Sequence, residues 1–201
     1  MREVVDGIVG WSWLSPPHGY DFNGWFVRHP SGNLCIDPVE PDDEVLAFLV
    51  REGVARILLT NRNHTRRAAL VRERTGAPIA IHAADAAHAR AQGATIDAEL
   101  RAGDRVGPFV VVAVPGKSPG EVALHDAARR LLVVGDAVIG NPPGRLSLLR
   151  EQVMDDPARL RASVRALAAL DLDRLLVGDG VPILTAASAR LQELVATFPR
   201  A

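Results

Sequence analysis

Short apolar runs separated by polar turns dominate the chain, and their periods change along it. Glu3 to Val9 alternates and is β-branched, which predicts a strand. Gly24 to Arg28 and Leu34 to Ile36 flank His29-Pro30-Ser31-Gly32-Asn33, a turn by composition, and predict a hairpin. Asp42 to Glu52 places Val45, Leu46 and Leu49 at helical spacing behind acidic residues that suit a helix N-terminus. A buried strand over Arg56 to Leu59, a helix over Arg66 to Thr75 closed by Gly76 and Pro78, a strand over Pro78 to His82 and a helix over Ala83 to Gln92 follow.

The second half repeats the order. Phe109 to Val114 reads as a continuous apolar strand, and Glu121 to His125 with Arg130 to Val134 as a hairpin around Asp126-Ala127-Ala128-Arg129. Pro157 to Leu170 is amphipathic with proline in its first turn, Arg174 to Val177 is a strand, and Thr185 to Ala196 a final helix. Strands precede helices in each half. This predicts an α/β (α+β) domain of two mixed sheets face to face, with helices on the outer faces.

The 201 residues suit one domain spanning 1–201, and 48% hydrophobic with 23% charged residues argues for a packed core. A net charge of −1 and no basic block argue against nucleic acid as a partner. No apolar run is long enough to span a membrane. The start carries Arg2, Glu3 and Asp6 and breaks at Pro16-Pro17, unlike a secretory signal. The lone Cys35 excludes an internal disulfide and a cysteine metal cage, and reads as a core residue in a cytoplasmic protein. Only one of the 23 basic side chains is a lysine, Lys117.

Four loops leave apolar strands and turn polar at once: Thr60 to Arg66, Pro115 to Gly120, Gly135-Asp136 and Gly178-Asp179-Gly180. Such loops bring polar side chains to one edge of a sandwich. Their order and spacing, with Asn23-Gly24-Trp25 and Ile36-Asp37-Pro38 upstream, resemble the metallo-β-lactamase fold family from about residue 20 to residue 195. That family carries His-x-His-x-Asp-His, then Pro-Gly-His-(Ser/Thr)-Pro-Gly, then Gly-Asp, then Gly-His-Gly. The resemblance implies a four-layer αβ/βα sandwich with a two-metal site at one edge.

The ligands are mostly replaced. Asn61 and Asn63 stand where the first two histidines would be, Thr65 where the aspartate would be and Arg66 at the next histidine. Lys117 replaces the histidine of the Pro-Gly-His motif and Asp179 the last histidine, while Asp136 is retained. Asparagine is a weak neutral donor, and protonated lysine or arginine repels a dication. The expectation is therefore no metal, with Lys117 and Arg66 supplying fixed positive charge beside Asp136 and Asp179. The alternative is one divalent ion on Asp136 and Asp179, with Asn61, Asn63 or His64 as a further donor. His64, also a candidate residue of the vestigial site, falls on a non-ligand position and is expected to face outward or to support the site from behind, the alternative being that a one-residue shift of the loop turns it inward.

Two functions follow from this reading. One is a non-catalytic or repurposed chain that binds a small anionic ligand in the vestigial cleft through Asn61, Asn63, Arg66 and Lys117. The alternative, implied by the resemblance, is a hydrolase of an ester, thioester or lactam with a single-metal or metal-free site. Ser118 beside Lys117 lacks a nucleophile elbow and argues weakly for serine chemistry. Trp11, Trp13 and Trp25 are readable either as an apolar lip over the cleft or as core and dimer packing. A homo-oligomer stays open. His82 reads as a satisfied strand-edge histidine, and Asn141-Pro142-Pro143-Gly144-Arg145 as a lid or an ordinary loop.

Overall fold

A seven-stranded sheet and a five-stranded sheet stack face to face in the protein, a computed structural model that describes residues 1–199. The first sheet runs in chain order: β1 (Arg2–Val5), β2 (Ile8–Ser15), β3 (Tyr20–Val27), β4 (Leu34–Ile36), β5 (Arg56–Leu58), β6 (Ile79–His82) and β7 (Ala98–Leu100). The second comprises β8 (Arg105–Val106), β9 (Phe109–Ala113), β10 (Val122–Asp126), β11 (Leu131–Val134) and β12 (Arg174–Val177), ordered β12-β11-β10-β9-β8.

The helices α1 (Asp43–Glu52), α2 (Ala68–Thr75) and α3 (Ala83–Ala91) cover the outside of the first sheet. There Val45, Phe48, Leu49, Val71 and Ala89 join one apolar cluster with Phe26, Ile57 and Ile79. The helices α4 (Pro157–Leu167) and α5 (Ala187–Ala196) cover the second sheet through Leu160, Val164, Leu191 and Leu194. A third cluster, including Ile8, Trp25, Ile36, Leu58, Phe109, Leu124, Val133 and Leu176, fills the space between the sheets. These four layers are the expected αβ/βα sandwich.

The predicted helices appear, with trimmed ends. Asp42 caps α1 by accepting from the Val45 amide at 2.8 Å, and Asp156 caps α4 by accepting from the Arg159 amide at 2.9 Å. His82 ends its strand satisfied, accepting from the Ala84 amide. The expected strand over Glu3 to Val9 is instead two strands. Asp6-Gly7 forms a turn, with Gly7 at a positive φ of 74°. The short strands β7 and β8 have no counterpart in the predicted set, because each buries a single residue and so carries no apolar run. No helix among the described residues is long and apolar enough to cross a membrane.

Topology explains where a site forms. β4, β5, β6 and β7 are parallel, as are β11 and β12, while β9 and β11 both run antiparallel to β10 between them. The carboxyl ends of β4, β5, β9, β11 and β12 thus carry Asp37, the Thr60–Arg66 loop, the Pro115–Glu121 loop, Asp136 and Asp179 to one rim. Asn23 stitches the rim by donating from Nδ2 to the Val177 and Gly180 carbonyls, at 3.0 and 2.8 Å. The Val122 amide donates to the Thr60 carbonyl at 2.8 Å, across the two sheets.

Candidate active-site cleft

At the rim, His64 is the centre of a buried charge chain. Its Nδ1 donates to Asp37 Oδ2 at 2.8 Å and its Nε2 to Asp136 Oδ1 at 3.1 Å, with only 1% of the side chain exposed. Thr60 orients Asp37 from behind, donating from its amide at 2.9 Å and from Oγ1 at 2.5 Å. Of the orientations open to His64, the structure therefore shows the inward one, not the outward one. The reason is room: a Cβ on Gly178 would lie 2.6 Å from His64 Cε1, so the glycine after β12 leaves the space that the imidazole fills. Two buried carboxylates then draw it in. Burial and nearby Arg66 oppose its protonation, but Asp37 and Asp136 outweigh them and push the imidazole up to about 10.

Two further cations meet the same carboxylates. Lys117 Nζ lies 3.0 Å from Asp136 Oδ2 and donates to Asn63 Oδ1 at 2.8 Å. Arg66 Nη2 donates to Asp179 Oδ1 at 2.7 Å, and its guanidinium stacks 4.2 Å from the Phe22 ring centroid. Arg66 Nη2 also lies 3.1 Å from His64 Nε2, a contact of like charges that Asp136 and Asp179 offset. Burial raises the Asp136 carboxyl, but His64, Lys117 and Arg66 overcome it and hold the group well below the usual carboxylate range. Asp179 is raised instead, by burial and by Asp136, with Arg66 only partly compensating.

The other expected site residues separate. Asn63 lines the cleft. Asn61 is fully buried, its Oδ1 accepting from the Asn63 amide at 2.8 Å and its Nδ2 without a partner. Thr65 does not line the cleft and donates to Gln92 Oε1 at 2.9 Å. Of the three tryptophans, Trp11 and Trp25 are core residues, at 5% and 2% exposure; Trp13 is exposed and packs on Phe22. The aromatic wall of the cleft is His18, Tyr20 and Phe22, and Asn141 alone of the 141–145 loop lines it. The wall opposite is aliphatic, from Ile139, Leu148, Leu149 and Val153, and the cleft holds about 630 Å³.

Sequence reasoning missed Asp37 and Glu121 as site residues. Asp37 carried a signal, since it follows a buried strand at once. Glu121 carried none. It is 1% exposed, and neither carboxyl oxygen has a hydrogen-bond partner. Burial first, then Asp136, raise its carboxyl well above the ordinary value, against His64 and Lys117.

A model of the metallo-beta-lactamase superfamily matches residues 4–198. The chain belongs to this superfamily. Among its relatives, the hydroxyacylglutathione hydrolase of Cereibacter sphaeroides (strain ATCC 17025 / ATH 2.4.3) is 32% identical over 154 residues, covering 73% of this chain and 56% of the relative. The hydroxyacylglutathione hydrolase of Acidiphilium cryptum (strain JF-5) is 32% identical over 168 residues, covering 78% of this chain and 63% of the relative. The chain thus spans less than two thirds of the length of these relatives. The crystal structure of TTHA1623 in a di-iron-bound form superposes with a TM-score of 0.71 at 26% identity, covering 90% of this chain and 98% of that one. A metallo-beta-lactamase from Pontibacter korlensis shares the fold, with a TM-score of 0.79 at 14% identity over 98% of both chains.

Superfamily membership raises the question of metal. His64, Asp136 and Asp179 present ligand atoms within 4.8 Å of one another, the one such group among the described residues. The atoms are already engaged. His64 Nε2 lies against Asp136 and Arg66, Asp136 faces His64 and Lys117 with its two oxygens, and Asp179 Oδ1 accepts from Arg66. A dication there would have to displace Lys117 from Asp136 and Arg66 from Asp179. The donor set as folded does not fit the family's two-metal centre.

Proposed function

We propose that the chain is a hydrolase of a small anionic ester or thioester, acting at a cleft in which side-chain cations stand in for metal ions. The single observation that carries this reading is the pairing of Lys117 Nζ with Asp136 at 3.0 Å and of Arg66 Nη2 with Asp179 at 2.7 Å, on the floor of one cleft. The relatives named as hydroxyacylglutathione hydrolases favour hydrolysis over the non-catalytic reading. Charge favours an anionic substrate. His64, Arg66, Lys117 and Arg150 line the cleft against two carboxylates, Asp136 and Asp179, and among the described residues Arg150 makes no ion pair.

In this reading, Lys117 and Arg66 stabilise negative charge that develops on the carbonyl oxygen as water attacks. Asp179, raised by burial, takes the proton from that water and passes it to the departing alkoxide or thiolate. The acyl carbon gains an oxygen bond and loses its bond to the leaving group.

The test is turnover of a panel of acyl thioesters and nitrophenyl esters by tag-free protein treated with chelator. Persistent turnover that Lys117→Met lowers by about 100-fold supports the reading. Turnover that returns only with added metal contradicts it. Saturable carboxylate binding without turnover supports a second reading, an anion-binding protein. What favours that reading is that every floor carboxylate already has a partner in the folded chain.

A further inference from the structure

Asp85 lies in the first turn of α3, outside the cleft, and is fully buried without a cation among the described residues. Three donors satisfy it. Oδ2 accepts from the Arg62 amide at 2.9 Å and from Ser118 Oγ at 2.5 Å, and Oδ1 accepts from the Gly120 amide at 2.9 Å. The approach is so close that a Cβ on Gly120 would lie 2.8 Å from Asp85 Cγ. A buried carboxylate is stable without a counter-ion when several donors converge on it.

The placement of these donors is specific. Arg62 directly precedes Asn63, and Ser118 directly follows Lys117. Asn63 Oδ1 and Lys117 Nζ in turn meet at 2.8 Å. Asp85 therefore clasps the two loops one residue away from each partner of that contact. We propose that Asp85 is a positioning residue that holds Lys117 over Asp136, so that the charge on the cleft floor is set from a helix on the outer face of the first sheet. This inference does not depend on hydrolysis and goes beyond it.

The single lysine gives a direct readout. An amine-reactive reagent applied to the full chain modifies one side chain, Lys117, while the N-terminal amine serves as internal reference. Labelling rates are followed by peptide mass spectrometry. In the native chain Lys117 reacts slowly. Asp85→Asn leaves one oxygen for three donors, and is expected to raise the Lys117 rate about tenfold relative to the reference. Ser118→Ala removes one donor only and is expected to raise it about threefold. Leu49→Ala, a core truncation in α1, is expected to lower the melting temperature without moving the Lys117 rate.

A folded Asp85→Asn protein that labels at the native rate overturns the proposal. So does a Leu49→Ala rate that rises as much as the Asp85→Asn rate. Should Asp85→Asn fail to fold, Ser118→Ala decides: a rate unchanged from native overturns the proposal and a rise supports it. Absence of any ester turnover leaves this result intact, so the two readings fail separately.

Discussion

Two ion pairs of nearly equal length sit in different surroundings. On the outer surface, Arg72 of α2 meets Asp97 at 2.9 Å, with side chains 40% and 27% exposed. On the cleft floor, Lys117 meets Asp136 at 3.0 Å, with side chains 8% and 6% exposed. Distance does not distinguish them, but water does. At the surface each charge stays partly hydrated, and Asp97 also accepts from the Ile79 amide, so losing the ion pair costs little. On the floor, each charge depends on its partner, and stranding one costs about 3–5 kcal/mol. The comparison teaches that the cleft is an interlocked set, in which three cations and their carboxylates substitute for hydration.

The largest expected effect is accordingly at Lys117. Lys117→Ala should destabilise the fold by about 3–5 kcal/mol in denaturant titrations, and Lys117→Ala with Asp136→Asn should be less damaging than the single change. Equal or additive losses would break the comparison. Next comes a pH dependence. The His64 imidazole rises from 6.5 to about 10 on folding, so its contribution is complete below 6.5 and is lost as pH climbs through about 10. Melting temperature should fall over that window, and His64→Gln should flatten the decline while lowering the melting temperature at neutral pH.

Glu121 sharpens the contrast from the opposite side. Its carboxyl is raised by burial, so its ionisation opposes folding as pH rises above the ordinary carboxylate range. Glu121→Gln, which is neutral at every pH, should raise the melting temperature more at alkaline than at acid pH. At the rim, Arg150→Glu should leave the melting temperature unchanged, and should raise KM for an anionic ester about tenfold with little change for a neutral one. The smallest effect belongs to the surface pair. Arg72→Ala should barely move the melting temperature, and high salt should erase the difference.

The sandwich was legible because its buried strands and amphipathic helices repeat with readable periods, and because Asp136 and the glycine-framed loops keep their order. Lys117, Arg66, Asp136 and Asp179 were legible as a charge cluster for the same reason. The direction of His64 was not, since a loop position does not reveal which way a side chain turns, and the decisive space comes from Gly178, 114 residues downstream. Trp11 and Trp25 were ambiguous because an aromatic residue on a strand suits a core as well as a lip. Each lies instead across a glycine of the neighbouring strand, Trp11 over Gly24 and Trp25 over Gly10. Asp85 and Glu121 stayed invisible because nothing local marks a carboxylate whose partners, or lack of them, lie across the fold.

The proposed reading of the cleft puts side-chain nitrogen cations where metal-bearing relatives hold their ions. Elemental analysis of tag-free protein, expressed with zinc and iron supplied, tests it most directly. The expected metal content is far below one ion per chain. One or two tightly held ions per chain, lost together with Asp136→Ala, would contradict it.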